Sequence, residues 1–546
     1  MQDVNPFLLL TLAVAVSMLV IPLLMRAAPR LGLIDEPDAR KVHVSPVPRV
    51  GGWGIVIGGL APLLLSFELG PLLQSYVAGV AILFAFGVWD DARELSHWTK
   101  FVGQALAAAV VVFYGDLYVT RLPFLEPDAV SPIAGRLFTL FALVGAINAI
   151  NHSDGLDGLA GGESLLTLIA VAVLGYVAGD SLSVGIALAT IGGILGFLRY
   201  NSHPARVFMG DSGSQALGFT LAFLVVYLTQ VTHTASSPAL ALLLLGLPIA
   251  DILVVLWQRI RSGGHWLKAS RNHMHHRLLQ LGFEHYETVI IIYSVQAALV
   301  VAGVVMRYEA DWAVLGVYAA IVGALFVSVA RAERNEFRVR RERPAGSLAG
   351  TTVGKLLRQP SLRSAPFWLI SAVVPAFMLF ASLWVARVPP DFAVVAGLLA
   401  CIVIAEMLRA SAARSIVARA AIYAAAIFSA YLLVFYPGAA DAPVRAVTIG
   451  VIGLLAAAIA VYVRMGTRQE FGTTPTDYLV VFGILALIAF GIVDVGSRTI
   501  VELVAYAIVL LYGCEIALDR AAAGRWPLLH VSTVATLTIL AFRGAL

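Results

Sequence analysis

Charge is what this chain of 546 residues has least of: Asp, Glu, Lys and Arg supply only 13%, against about 25% in a soluble domain. With 60% of residues hydrophobic, a soluble globular fold is excluded. Cysteine is almost absent. Cys401 and Cys514 both lie in apolar runs, fit no metal-ligand spacing and exclude a disulfide framework, so they read as packing residues. The glycine-lysine phosphate loop and the dinucleotide-binding glycine pattern are missing too. The net charge of +4 carries no nucleic-acid signal, and no nucleic-acid partner is expected. In a membrane chain, where the basic residues stand matters more than their sum.

What is there is long apolar runs, continuous rather than alternating, which favours helices over a barrel. The first run, near residues 7–25, has no basic segment before it and no clear small-residue cleavage site; it reads as a retained helix. Further runs lie near 51–69, 72–89, 101–118, 136–150, 163–179, 182–199, 214–230, 238–258, 287–306 and 312–331. Another group lies near 366–386, 389–408, 415–436, 444–463, 477–493, 499–517 and 527–542. The expected fold is an all-α integral membrane protein, a polytopic helical bundle of about 18 transmembrane helices, about 11 in residues 1–331 and about 7 in residues 366–546. With the N-terminus outside, only Arg121, Arg136, Arg307, Arg387, Arg445, Arg498 and Arg543 of the 37 Lys and Arg fall in outer loops. That asymmetry supports the orientation. Residues 332–365 are basic, polar and rich in Gly, Pro and Ser. They read as a cytoplasmic linker that sets topology, or one carrying a short helix on anionic membrane lipid. No repeat relates the two halves.

The polar clusters then fall on one side. "RKVHVSPVPRVGG" (40–52), "DDARELSHWTK" (90–100), "NAINHSDGLDGLAGG" (148–162), "RVFMGDSGS" (206–214) and "RNHMHHR" (271–277) all sit at inner loops. Asp90 and Asp91 are adjacent carboxylates at a span's end, unfavourable without a cation and suited to Mg²⁺. Lys100 can pair with a carboxylate or hold a phosphate. Around Asp211, Gly210 and Gly213 permit a tight turn whose outward N–H groups suit an anion while the carboxylate suits its metal; a simple helix cap is the plainer reading. Asn148, Asn151, Asp154 and Asp157 recur every three residues. On a helix they form one polar stripe; the glycines favour a loop lining a pocket instead. His273, His275 and His276 lack the partners of a structural zinc site, and beside Arg271 and Arg277 they suit an anion. Asp251 is an intramembrane carboxylate and a functional suspect. Carboxylates and cations gathered at one bilayer surface suit Mg²⁺-dependent phosphoryl transfer between a phospholipid and a soluble phosphate ester.

These five ordered motifs resemble those of the polyprenyl-phosphate N-acetylhexosamine-1-phosphate transferases, over about residues 30–290. The resemblance implies that a polyprenyl phosphate, usually undecaprenyl phosphate, attacks the sugar-linked phosphate of a UDP-amino sugar. UMP leaves, and the lipid-diphosphate-sugar that starts cell-surface polysaccharide assembly remains. It implies Mg²⁺, with Mn²⁺ as a substitute, at Asp90, Asp91 and Asp211. It implies substrate contacts at Lys41, Arg49, Lys100, Asn148, Asn151, Asp154, Asp157, His273, His275, His276 and Arg277. The expected location is the bacterial inner (plasma) membrane, with the site facing the cytoplasm. A direct displacement and an aspartyl-phosphate route both stay open. "PVPRVGG" and "HMHHRL" resemble the UDP-GlcNAc branch rather than the muramoyl-pentapeptide branch. His152 and Ser153 stand where the family usually has bulky apolar residues, and Ser270 where an Asp is common; these departures bear on the sugar. The C-terminal spans have no counterpart in the minimal family fold and default to packing, oligomerisation, including a homodimer, or partner docking. The rival to the enzyme is a transporter or flippase for a lipid-linked or nucleotide sugar, although transporters usually place polar sites near the midplane.

Overall fold

A computed structural model describes residues 6–37, 46–126, 129–261, 272–339, 360–408, 416–436, 441–465, 498–521 and 528–545. The chain divides into two compact units, the described residues up to 339 and those from 360 onward. Among the described residues, 13 helices are long and apolar enough to cross a membrane, and three shorter apolar helices accompany them. The chain is therefore an all-α polytopic membrane protein. The run expected near 477–493, Lys41 and most of the linker lie outside the described residues.

The first unit comprises α1 (Pro6–Leu31), α2 (Gly51–Ser66), α3 (Pro71–Arg93), α4 (His97–Ala109), α5 (Pro132–Ser153), α6 (Leu159–Val177), α7 (Ser181–Asn201), α8 (Gly210–Tyr227), α9 (Leu240–Arg261), α10 (Met274–Gln280), α11 (His285–Val305) and α12 (Asp311–Arg334). The innermost helices are α6, α7 and α8, with 89%, 83% and 83% of their apolar windows buried, against 17% for α12. Their sequences show why. On α7, Gly192, Gly193 and Gly196 leave room for neighbouring main chain: a Cβ on Gly192 would meet Leu10 O at 2.7 Å, and one on Gly193 would meet Ile55 O at 2.8 Å. Small residues let helices in lipid approach this closely. Ser17 Oγ then donates to Gly193 O at 2.9 Å.

Two features depart from a plain bundle. A two-stranded antiparallel ladder pairs β1 (Ile34–Asp35) with β2 (Val47–Pro48), closing the first loop so that Arg49 reaches the buried Asp35. Helix α9 is broken at Gly246, whose φ of 47° is outside helical space. The freed backbone groups are satisfied by neighbours, as hydrocarbon requires: Leu247 N–H donates to Gln296 Oε1 at 3.0 Å, and Tyr318 donates to Gly246 O at 3.3 Å. The break sets the direction of the half that carries Asp251.

The second unit holds α13 (Pro360–Trp384), α14 (Pro390–Met407), α15 (Ile416–Phe435), α16 (Asp441–Met465), α17 (Arg498–Ala521) and α18 (Leu528–Ala545). Among its described residues, ion pairs join helices: Arg419 with Glu515 at 3.0 Å, and Arg445 with Glu502.

Candidate active site

The first loop and the start of α8 are knitted by main chain. Phe208 N–H donates to Pro48 O, Gly51 N–H to Phe208 O and Gly52 N–H to Met209 O, at 2.8, 2.9 and 2.8 Å. A Cβ on Gly52 would lie 2.3 Å from Gly213 N, and one on Gly87 would lie 2.4 Å from Ser212 Cα. The motifs "PVPRVGG" and "FMGDSGS", and the end of α3, thus meet where only glycine fits.

This junction places three carboxylates at one point, in different roles. Asp91 accepts the Asp211 N–H at Oδ1 and the Ser212 N–H at Oδ2, at 2.8 and 3.1 Å. It caps α8 from another helix, satisfying donors that a helix start leaves free. The N–H groups expected to face a substrate anion are therefore already occupied by Asp91. Asp90 accepts the Leu95 N–H at 2.6 Å and touches Asp211. Lys100 joins the two, pairing with Asp90 and lying 2.8 Å from Asp211 Oδ2. Asp211, with its side chain 26% exposed against 5% for Asp90, is the carboxylate open to a ligand.

Asn151 completes the arrangement, donating to Asp211 Oδ1 at 3.1 Å and to Ser214 Oγ at 2.8 Å. Asn148 sits one layer behind. Its amide donates to Gln104 Oε1 at 2.7 Å, Gln104 reaches Gln215 at 3.3 Å, and Gln215 reaches Asp211 Oδ2 at 3.4 Å. Sequence reading missed both glutamines, yet Gln104 stands one helical turn after Lys100 and Gln215 one turn after Asp211, the spacing at which side chains share a face.

Helix α5 ends at Ser153 and α6 begins at Leu159. Asn148 and Asn151 are therefore helical, while Asp154 and Asp157 lie in the connecting turn, so the four do not form one helical stripe. Burial first, then the charges of Asp211, Asp91 and Asp157, push the Asp154 carboxyl up to about 7. Burial also raises Asp157, but the His203 hydrogen bond and the Ala205 N–H outweigh it and hold Asp157 below the usual carboxylate range. His203 Nδ1 is 2.6 Å from Asp157 Oδ2, and the Asp157 N–H donates to His285 Nε2 at 3.1 Å. Their donor atoms lie within 4.8 Å of one another. However, the His203 and His285 rings stack at 4.1 Å and 20°, so their in-plane lone pairs run side by side rather than converge. This is a hydrogen-bonded clasp on the α5–α6 turn. His203 and His285 stand alone outside the motifs, which hid them.

The histidine motif meets the same turn. His273 Nδ1 lies 2.7 Å from Asp251 Oδ2, and the Met274 N–H donates to Asp251 Oδ1 at 2.8 Å. Asp251 is thus a fixed partner for His273 rather than an isolated carboxylate. His275 packs on Gly155, where a Cβ would lie 2.3 Å from Nε2. Burial, then the neighbouring His276, His273 and His152, push His275 down to about 3, so it is neutral. Arg277 forks onto Glu333 at 2.8 and 2.7 Å, and Arg49 is engaged with Asp35. Both were expected to bind substrate; in this structure Arg277 ties α10 to the end of α12, and Arg49 ties the segment after β2 to β1. His276 lies tilted against His275, ring centroids 4.2 Å apart at 49°. Ser153 donates to Glu163, a carboxyl 2% exposed within α6 that sequence reading also missed.

Asp90 and Asp211 supply hard oxygen donors in mutual contact, already compensated by one cation, Lys100. That donor set fits Mg²⁺, which takes a few carboxylates plus phosphate oxygens and water.

Residues 73–229 match glycosyl transferase family 4. The chain is 32% identical over 297 residues to a probable undecaprenyl-phosphate N-acetylglucosaminyl 1-phosphate transferase of Bacillus subtilis (strain 168), covering 54% of this chain and 83% of the relative. It is 31% identical over 292 residues to an undecaprenyl-phosphate alpha-N-acetylglucosaminyl 1-phosphate transferase of Haemophilus influenzae, covering 52% of this chain and 82% of that protein. It is 35% identical over 301 residues to a decaprenyl-phosphate N-acetylglucosaminephosphotransferase of Mycobacterium leprae, covering 49% and 75%.

Proposed function

The chain belongs to glycosyl transferase family 4, and from that premise we propose that it moves an N-acetylhexosamine-1-phosphate, GlcNAc-1-phosphate first among candidates, from a UDP-sugar to undecaprenyl phosphate, releasing UMP. The relatives' activities support the reaction class. The observation that carries the reading here is the contact of Asp90, Asp211 and Lys100 at the ends of three helices. In this reading a lipid phosphate oxygen forms a bond to the phosphorus that bears the sugar, and the bond from that phosphorus to UMP breaks.

Asp90 and Asp211 would hold Mg²⁺, which when bound neutralises charge on the phosphate oxygens. Lys100 offers a second positive charge to the same oxygens. Asn151 fixes the rotamer of Asp211. Asp91 acts one step back, by holding the start of α8. Asp154 and Asp157, on the α5–α6 turn, line the nucleotide side, and His273, held by Asp251, meets the last turn of α5 beside them. About 18 spans, an outward N-terminus and a cytoplasmic face for the site are proposed with it on the strength of the Lys and Arg asymmetry, and a bacterial inner membrane on the strength of the bacterial relatives.

The test is UMP release from UDP-GlcNAc by the purified protein with undecaprenyl phosphate and Mg²⁺. Release that requires all three supports the reading. Uptake of the nucleotide sugar into vesicles with no UMP formed would replace it with transport.

A further inference from the structure

We propose that the imidazole of His152 touches the sugar on the donor's reacting phosphate and sets which sugar is accepted, an inference that rests on the transferase reading above. Its place in the chain comes first. His152 follows Asn151, whose amide is tied to both Asp211 and Ser214. The last turn of α5 is thereby fixed to the reacting centre, and His152 stands one residue from it.

Its surroundings come second. Of the two adjacent polar residues at this helix end, Ser153 turns inward to Glu163. His152 is exposed, whereas His273 beside it is 5% exposed. The two rings stack at 5.0 Å and 23°. Because Asp251 holds His273 at Nδ1 and at the following main-chain N–H, the stack fixes the plane of His152 and leaves its edge free. Among the described residues neither ring nitrogen of His152 has a hydrogen-bond partner.

Chemistry decides between the two groups that flank a reacting phosphate. A neutral imidazole presents one donor and one acceptor. Phosphate oxygens only accept, and Lys100 already supplies donors there. An amino sugar both donates and accepts, through its hydroxyls and its acetamido group, and so matches both edges of the ring. A site built to hydrogen-bond a substrate group discriminates strongly against analogues that lack it.

The test compares the full-length protein with His152→Phe, which keeps a ring to stack on His273 but has no nitrogen, and with His152→Asn, which restores a donor and an acceptor. Each is assayed for UMP release from UDP-GlcNAc, UDP-GalNAc and UDP-glucose, with UDP as competitive inhibitor. His152→Phe is expected to raise KM for the preferred sugar about tenfold and to shrink its preference over UDP-glucose. Inhibition by UDP should stay within about twofold, and His152→Asn should recover part of the loss. Unchanged KM and sugar preference in both variants would overturn the proposal. So would a parallel weakening of UDP, which would assign the ring to the diphosphate or nucleotide. If the unaltered protein released UMP from none of the sugars, the transferase reading itself would fall.

Discussion

Asp91 and Asp211 meet main chain to side chain: the Asp211 N–H donates to Asp91 Oδ1 at 2.8 Å. The two carboxylates therefore do different work, and their variants should separate. Asp211→Asn keeps the capped helix and should retain its melting temperature while losing at least about a hundredfold in turnover. Asp91→Asn keeps one acceptor for two N–H groups and should cost about 1–3 kcal/mol, read as a lower Tm. Equal melting temperatures for the two variants would refute the division.

Lys100 occupies the space between Asp90 and Asp211 that a divalent cation would share. Lys100→Met is expected to lower UMP release by at least about a hundredfold and yet to tighten Mg²⁺ binding by calorimetry, because the competing ammonium is gone. Weaker Mg²⁺ binding would show that Lys100 supports the cation rather than competing with it.

Gly155 and Gly145 form an internal control. A Cβ at Gly155 would collide with His275 Nε2, whereas one at Gly145 meets nothing within 4 Å. Gly155→Ala should displace the histidine motif and cut kcat/KM by about tenfold or more, with Gly145→Ala close to wild type. Similar activities would mean that His275 moves aside without consequence.

Asp154, pushed up to about 7 by burial and by the neighbouring carboxylates, sets a pH dependence. Below that value the group is neutral; above it a further negative charge faces the Asp211 cluster. Cation affinity should therefore rise as pH passes upward through about 7, and bound cation should in turn lower the titration midpoint. In Asp154→Asn that increment should vanish. A calorimetric pH series unchanged by the substitution would exclude Asp154 as its source.

Most of the similarity to relatives spans roughly half of this chain but more than four fifths of the Bacillus protein. A chain ending at Arg340 should keep UMP release within about threefold of the full protein, with loss of activity in a folded truncation assigning the second unit a part in the reaction.

Apolar runs made the helical bundle legible, because the bilayer permits few alternatives. The carboxylate motifs were legible too, since adjacent or closely spaced charges in apolar sequence need a reason. The roles within them were not. That Asp91 caps a helix, or that Arg49 and Arg277 are held by Asp35 and Glu333, depends on partners 14 to 120 residues away. No local pattern encodes such pairings. Gln104, Gln215 and Glu163 were overlooked for a related reason: each is an uncharged or lone acidic residue within a predominantly apolar helix, and only packing shows what it faces. His203 and His285 became meaningful only when the fold stacked them beside Asp157.

At Gly52 and Gly213 two main chains touch with no side chain between them. Side chains give a contact slack, since rotamers can absorb a shift; backbone against backbone cannot. The first loop and the start of α8 must therefore travel as one body. Any ligand that moves the loop also moves Asp211, so the loop's position becomes a readout of that carboxylate even when no ligand touches Asp211 directly. A spectroscopic label placed on that loop would report on the Asp211 cluster from outside it.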